Sequence, residues 1–512
     1  MNISFEKWGI MRKRLVSILL SFALCVYVVA CGSTKNVTNE DQVRTEEVKP
    51  KFEIEGASYI ELSDELITVN GEKVSKNEEA AVYVANDIVY YEEGKDFTYG
   101  EGSKKDEHSK EEADKHRVVH ITEPGTYVLR GSLSAGQIAV DLGEDAEDDP
   151  EAVVTLALDN VDITCSVAPA VIFYNVYECG DSDKEEATKD VDTSKAGANI
   201  LIPDGTDNTI RGSYVAKIYK SVELNEAETE VVDSKKLHKY DAALYSKMSM
   251  NISGGEENTG RLNIYAENEG LGTELHLTMN GGTVNIISGN DGINTNEEKV
   301  SVTTINDGWL NIRVDGGTGE GDGIDSNGWL VINGGVVHAA ACSTSMDAGI
   351  DSDKGIHING GTVVATGNML DHIAESEQNY VVFNFRDKIK AGEEIALVKD
   401  EESHFLSMPN DYTYLVVSKA SFGEEGTCTL WRGEEQLQVV EISGGDMMPP
   451  ASLDRGKIPD EFVHEMPEGF EPGQKPGGRG GRDFGQINVE DAVMEFEIKE
   501  GGNMYMVVSN RI

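Results

Sequence analysis

The sequence predicts an all-β protein, a right-handed parallel β-helix (a solenoid) with a small C-terminal β closing segment, on three observations. The first is a repeat between residues 240 and 370. Five segments open on a glycine and then alternate polar and apolar residues: Gly260-Arg-Leu-Asn-Ile264, Gly282-Thr-Val-Asn-Ile286, Gly308-Trp-Leu-Asn-Ile312, Gly335-Val-Val-His-Ala339 and Gly361-Thr-Val-Val-Ala365, spaced 22, 26, 27 and 26 residues apart. The second is a companion strand before four of them, Leu277–Met279, Thr303–Ile305, Leu330–Ile332 and Ile356–Ile358, each followed by an asparagine: Asn280, Asn306, Asn333 or Asn359. The third is the glycine content, 54 residues against 12 prolines, which favours many tight turns. Period-two alternation marks strands, and a period near 26 with glycine corners fits one coil of a stacked solenoid. The frame of a leucine-rich repeat is absent, and propeller blades are longer and antiparallel.

The elements follow in chain order. Arg12-Lys13-Arg14 precedes a nearly uncharged apolar stretch, Leu15 to Ala30, of about 16 residues. A basic region, a short apolar run and small residues at its end describe a secretory signal, too short for a spanning helix of roughly 20 residues. The tetrapeptide Val28-Val29-Ala30-Cys31 resembles a bacterial lipobox, which predicts a lipoprotein signal peptide over 1–30 and a lipidated Cys31. The expected place of the protein is therefore extracytoplasmic, lipid-anchored to the bacterial cell membrane. Residues 31–52 read as a polar tether, and 53–375 as the β-helix.

Within that span, Val118–Gly143, Ala152–Cys179 and Asn199–Ser213 look like further, irregular coils. Charged insertions at 101–115 and 180–198 interrupt them and predict mobile loops or coil insertions. In the repeat, Val284, Leu310, Val337 and Val363 should face inward, with Ile286, Ile312, Ala339 and Ala365; Thr283, Trp309, Val336 and Thr362 should face outward. Residues 376–440 read as the β closing segment, 441–485 as a Gly/Pro-rich flexible linker, and 486–512 as C-terminal strands that return to the body.

Composition bounds the partners. Ninety-two acidic residues against 44 basic ones give a net charge of −48, which repels phosphate backbones and argues against nucleic acid. It suits divalent cations, or plain solubility. Cys165 and Cys179 lie 14 residues apart and could pair outside the cytoplasm, but Cys342 and Cys428 have no evident partners; buried free thiols are the simpler expectation. No C-x-x-C spacing, nucleophile elbow, P-loop, H-E-x-x-H or dinucleotide fingerprint is present.

A chemical constellation recurs where each companion strand begins: Asp291-Gly-Ile-Asn294, Asp322-Gly-Ile-Asp325, then Gly349-Ile-Asp351-Ser-Asp353. Equivalent positions in stacked coils lie about 4.8 Å apart. Carboxylates so close repel unless their pKa rises or a hard cation with six to eight oxygen ligands joins them. Asp291, Asn294, Asp322, Asp325, Asp351 and Asp353 are therefore candidate calcium ligands; Asn and Asp ladders that brace glycine corners are the other reading. For sugars, flat side chains at outward positions matter. Trp309, Trp329, His338 and His357 are the candidate carbohydrate contacts, with Tyr245 and Tyr265 behind them, and Trp431 is expected in the core.

The passages PGTYVLRGSLSAGQIAVDLG, LDNVDI, DGTDNTI and AALYSK, followed by the N-G-G and D-G-I repeats, occur in the order found in a family the chain resembles: the bacterial carbohydrate-binding domain-containing proteins, secreted β-helices. The likeness covers roughly 55–510, and GTYVLRG and DGTDNTI are its specific parts. It implies an architecture similar to the family-nine pectate lyases, binding of plant cell-wall polysaccharide such as polygalacturonate or cellulose, and calcium in the coils. The lyases place a lysine base after a Gly-Phe pair; here Gly349-Ile350 is followed by Asp351, and Lys247 and Lys354 are the nearest substitutes. The expectation is a non-catalytic binder, in which calcium would bridge Asp side chains to a polyuronate. A calcium-dependent polyuronate lyase, and a surface adhesin or scaffold without glycan binding, are its rivals.

Overall fold

The computed structural model describes residues 52–442 except 181, 401 and 425, together with 491–508. The expected signal, Cys31, the tether and nearly all of the 441–485 linker lie outside the described residues. What is described is almost wholly strand, with one four-residue helix, Lys110–Ala113, and two 3-10 turns. No described helix is long and apolar enough to cross a membrane.

Between residues 242 and 367 each repeat contributes three strands, and equivalent strands pair side by side in parallel. The first ladder runs Ala242–Ser246, Glu269–Thr273, Ile293–Thr295, Ile324–Ser326 and Ile350–Ser352. The second runs Met250–Gly254, Leu277–Met279, Val302–Ile305, Trp329–Ile332 and Gly355–Ile358. The third runs Arg261–Ala266, Thr283–Ser288, Trp309–Val314, Val336–Ala340 and Thr362–Gly367. All three continue upstream through the irregular region: Val171–Asn175 joins the first, Ala198–Ile202 the second and Asp207–Gly212 the third.

The reason is period-two alternation against a shared interior. Val284, Leu310, Val337 and Val363 stack in register, as do Ile286, Ile312, Ala339 and Ala365, and all eight are buried. Glycine lets the first-ladder strands enter this interior closely. A Cβ on Gly323 would stand 3.0 Å from that of Ala339, and one on Gly292 would be 2.5 Å from the Gly323 carbonyl oxygen. Asparagines at the corners form their own column: Asn306 donates to Asn280 at 2.8 Å, and Asn333 to Asn306 and Asn359 to Asn333 at 2.9 Å.

The all-β class stands, but a parallel solenoid is not the whole architecture. The strands form large mixed sheets: a nine-stranded one built on the first ladder, and a 25-stranded one joining the other two ladders to the C-terminal strands. At Thr362–Gly367 the pairing turns antiparallel, against Tyr412–Lys419, which also pairs with Tyr380–Ile389. Beyond it lies more than a small closing segment. Phe383, Phe385, Ile389, Tyr412, Phe422, Leu430, Leu437, Phe496 and Tyr505 form a second core. Gly502–Val508 returns to pair in parallel with Tyr380–Ile389.

Of the two readings of the 180–198 insertion, a loop or a coil insertion, its end at Thr193 is tied to the body: the Thr193 hydroxyl bonds Asn251 at 2.9 Å and Thr278 at 2.7 Å on the outside of the second ladder. Trp431 is half-buried, its indole N–H donating to Thr429 at 2.9 Å. Cys165, Cys179, Cys342 and Cys428 are all free thiols, and burial pushes Cys165 up to about 12 and Cys179 to about 11.

Candidate functional site

The D-G-I segments are not bare corners; they are the strands of the first ladder. In each, the apolar residue points inward (Ile293, Ile324 and Ile350 are buried) and the next side chain points out. The register places Gly272, Asn294, Asp325 and Asp351 in one outward column, one strand apart. Three residues earlier in each strand, Glu269, Asp291 and Asp322 form a parallel column, and Ala348 ends it.

Glu269 was not evident as a member from the sequence, because Glu269-Gly-Leu-Gly272 has glycine where its neighbours carry Asn or Asp. A Cβ on Gly272 would stand 3.0 Å from that of Ala242, 3.2 Å from Tyr245 Cδ2 and 3.4 Å from Glu269 Oε2, so the carboxylate lies beside the glycine. Oε1 accepts a hydrogen bond from Asn294 Nδ2 at 2.9 Å, and Oε2 is buried with no hydrogen-bond partner. Glu269 is 5% exposed.

The other carboxylates each brace a turn with one oxygen. Asp291 Oδ1 accepts from the Asp322 N–H at 2.7 Å, Asp322 Oδ1 from the Ala348 N–H at 2.6 Å, and Asp371 Oδ2 from the Ser352 N–H at 3.0 Å. Turn chemistry and the acidic column are thus properties of the same residues. Burial, then mutual repulsion, raises their pKa values: Asp291 to about 7 and Asp351 to about 8, with Asp322 and Glu269 well above the ordinary carboxylate range. Asp371 is raised by burial too. Lys239, whose charge acts on Glu269, is itself paired with Asp241 at 2.7 Å.

Of the six residues singled out as calcium ligands, Asn294, Asp325 and Asp351 share one column, Asp291 and Asp322 stand beside it, and Asp353 is exposed at the rim. The hard oxygen donors suit calcium in type. Among the described residues, however, no three or more His, Cys, Asp or Glu converge on one point as a finished cage.

The four carbohydrate candidates fall on two ladders. Trp309, 51% exposed, and half-buried His338 lie on the outside of the third. Trp329 and His357 lie on the second. Lys354 Nζ sits 5.3 Å over the Trp329 ring, and His357 Nδ1 lies 2.9 Å from the Glu375 carbonyl oxygen. Tyr245 is fully buried, whereas Tyr265 is 42% exposed. Lys247 lies at the turn after the first-ladder strand Ala242–Ser246, its backbone N–H bonded to the Phe173 carbonyl.

Comparison with known proteins adds the family. The sequence profile of the carbohydrate-binding domain-containing proteins matches residues 115–399, more than half of the chain and across all three ladders. A protein of that name from Acetivibrio thermocellus is 28% identical over 171 residues, 33% of this chain and 45% of the relative, so the chain spans less than half of that relative's length. A solved polysaccharide lyase-like protein from C. thermocellum, a gadolinium derivative, is 18% identical with a TM-score of 0.33, covering 63% of this chain and 92% of its own. The chain belongs to the carbohydrate-binding domain-containing family.

Proposed function

We propose that this member of the carbohydrate-binding domain-containing family is an extracytoplasmic lipoprotein that binds plant cell-wall-type polysaccharide, polygalacturonate or cellulose, without cleaving it. Its ladders would be the coils of a right-handed parallel β-helix, with calcium along the acidic column and Cys31 carrying the lipid.

One observation carries the calcium part of the reading: a buried column of carboxylates that ends in Glu269 Oε2, buried and without a hydrogen-bond partner. A desolvated charge without a partner is costly, and a hard cation offsets it. Glu269, Asp291, Asn294, Asp322, Asp325 and Asp351 would hold the ion, with Asp353 at the rim. Bound there, calcium would neutralise the column and draw its second oxygens together. The non-catalytic reading is supported by Asp351, which stacks on Asp325 where the related lyases carry their lysine, and by Lys354, which rests over Trp329.

Titration calorimetry of the chain with oligogalacturonate and with cello-oligosaccharides, in calcium and then in chelator, tests this. A saturable heat with either glycan is expected, with no sustained power offset. A sustained offset lost on Lys247→Ala or Lys354→Ala would establish the lyase instead, and no heat with any glycan would leave the adhesin or scaffold.

A further inference from the structure

The outer face of the third ladder is a regular grid. On successive strands its three outward positions read Asp207, Thr209, Arg211; then Arg261, Asn263, Tyr265; then Thr283, Asn285, Ile287; then Trp309, Asn311, Arg313. Arg211, Arg261, Tyr265, Trp309 and Arg313 are exposed. Down the middle runs an amide ladder: Asn285 Nδ2 donates to Asn263 at 2.9 Å, and Asn311 Nδ2 to Asn285 at 3.0 Å. Asn285 and Asn311 each spend only one of their two N–H groups in this way.

Three features of this face call for a ligand. It exposes a tryptophan and a tyrosine, which a soluble surface gains little by doing. It carries three guanidinium groups on a chain of net charge −48, and neither Arg261 nor Arg313 has an ion-pair partner among the described residues. It is also more open than its neighbours. The second ladder is covered by Thr193 at one end, and at the other by Ser376, whose hydroxyl accepts the Ile358 N–H at 2.9 Å. The first is flanked by the hairpin of Val215–Leu224 and Val231–Tyr240, through Lys236–Glu274 at 3.1 Å and Lys239–Asp241 at 2.7 Å.

Resting on the reading that the chain binds polysaccharide, we propose that this face, between Arg211 and Arg313, seats an extended polysaccharide bearing carboxylates, held directly by Arg261 and Arg313. Guanidinium groups bind carboxylates through paired, charge-assisted hydrogen bonds. Tyr265 and Trp309, two rungs apart in different columns, offer flat surfaces to the apolar faces of the sugar rings. Arg211 stiffens the first of them: it pairs with Asp162 at 2.5 Å and lies 5.2 Å over the Tyr265 ring. The amide ladder offers hydroxyl partners at the strand spacing of about 4.8 Å, comparable with the length of one sugar ring. Asp207 bounds the strip at one end, its Oδ1 accepting from Asn263 at 2.9 Å. In this arrangement the calcium of the acidic column does not bridge protein to glycan, because it belongs to a different ladder.

The test uses the full chain, oligogalacturonate, its methyl ester, which removes the charge while keeping the sugar, and cello-oligosaccharides. The variants are Arg261→Gln/Arg313→Gln and Trp309→Ala. Losing one charge-assisted pair weakens binding about tenfold or more, so the double arginine variant should lose at least that much affinity for the acid. The ester should bind the unaltered chain as weakly as the acid binds the double variant. Trp309→Ala should weaken acid and ester alike. Binding by the unaltered chain that the double variant retains would overturn this seat and leave carbohydrate binding standing. So would acid binding that chelator abolishes while the circular dichroism spectrum is unchanged, which would move the seat to the acidic column. Equal affinity for ester, acid and cello-oligosaccharide would overturn the acidic ligand. No binding of any glycan by the unaltered chain would overturn the carbohydrate reading itself, and the seat with it.

Discussion

Raising the pH of the calcium-free protein from 5 to 8 should destabilise it, against the behaviour of a protein whose acids sit in salt bridges. Asp291 is pushed up to about 7 and Asp351 to about 8, by burial first and by neighbouring carboxylates second. An unfolded aspartate titrates near 3.9. The folded chain therefore binds more protons than the unfolded chain between about pH 4 and 8, and stability falls as pH rises through that window. The contribution is complete below the unfolded value and lost above the folded ones. A carboxyl moved from about 3.9 to about 8 would by itself account for roughly 5 kcal/mol. The carboxylates share one repulsion, so the column counts once, on the order of 3–5 kcal/mol. Urea midpoints followed by circular dichroism in chelator at pH 5, 6, 7 and 8 should fall accordingly. Calcium should restore the midpoint at pH 8 and do little at pH 5, since its ligands must be ionised. Asp351→Asn should flatten the profile and stabilise the calcium-free protein at pH 8. A midpoint independent of pH from 5 to 8, or one that Asp351→Asn leaves unchanged in shape, would refute the account of the column.

Two further outcomes test the fold that carries it. Gly292→Ala places a Cβ against Ile312 Cγ2 and 2.5 Å from the Gly323 carbonyl oxygen, so the urea midpoint should drop by at least the ~1–3 kcal/mol of ordinary overpacking; unchanged stability would refute the close entry of the first ladder. Arg130→Ala strands Asp159, whose Oδ2 lies 2.6 Å from Arg130 Nε with both side chains largely buried. It should cost about 3–5 kcal/mol in urea unfolding, and Arg130→Ala/Asp159→Asn should recover part of the loss.

The second and third ladders were legible because their buried residues alternate cleanly and glycine and asparagine recur at fixed places. The first ladder was legible as chemistry and not as structure. Its strands are three residues long from Ile293 onward, and only one of the two inward ends of each is apolar: Thr295 and Ser326 are buried at the other and share a hydrogen bond of 3.0 Å. An interior hydroxyl column breaks the apolar alternation by which strands are recognised. Glu269 was hidden for a related reason, since Glu269-Gly-Leu-Gly272 lacks the Asn or Asp that marks the neighbouring strands three residues on. The C-terminal core was hidden by distance along the chain. Tyr380–Ile389 finds its partner at Gly502–Val508, a pairing no local pattern encodes. The carbohydrate candidates were chosen by residue type and outward phase, and phase alone does not say on which ladder a side chain lies. Trp309 and Trp329 thus fell on different faces, and the arginines beside Trp309 went unremarked.

Stacking makes a solenoid column self-reporting. Whatever one rung feels from its neighbour about 4.8 Å away is repeated at every rung. Asparagines gain a hydrogen bond per step, as both Asn columns do, so they need nothing from outside. Carboxylates lose at each step, and yet Asp325 and Asp351 stand on adjacent rungs, as do Asp291 and Asp322. A column that repels itself persists when protons or a hard cation offset the cost, and the cation is the remedy proposed above for pH values at which the column ionises. The arginines are laid out in the opposite way. Arg211 and Arg313 share a column but are held three rungs apart by Tyr265 and Ile287, and Arg261 lies in another. They avoid one another, and among the described residues Arg261 and Arg313 form no ion pair, although Asp207 stands one rung from Arg261; this is a layout suited to a ligand longer than one rung. On the proposed reading the acidic column would hold a cation inside the protein, and the arginine strip would meet a polyanion outside it.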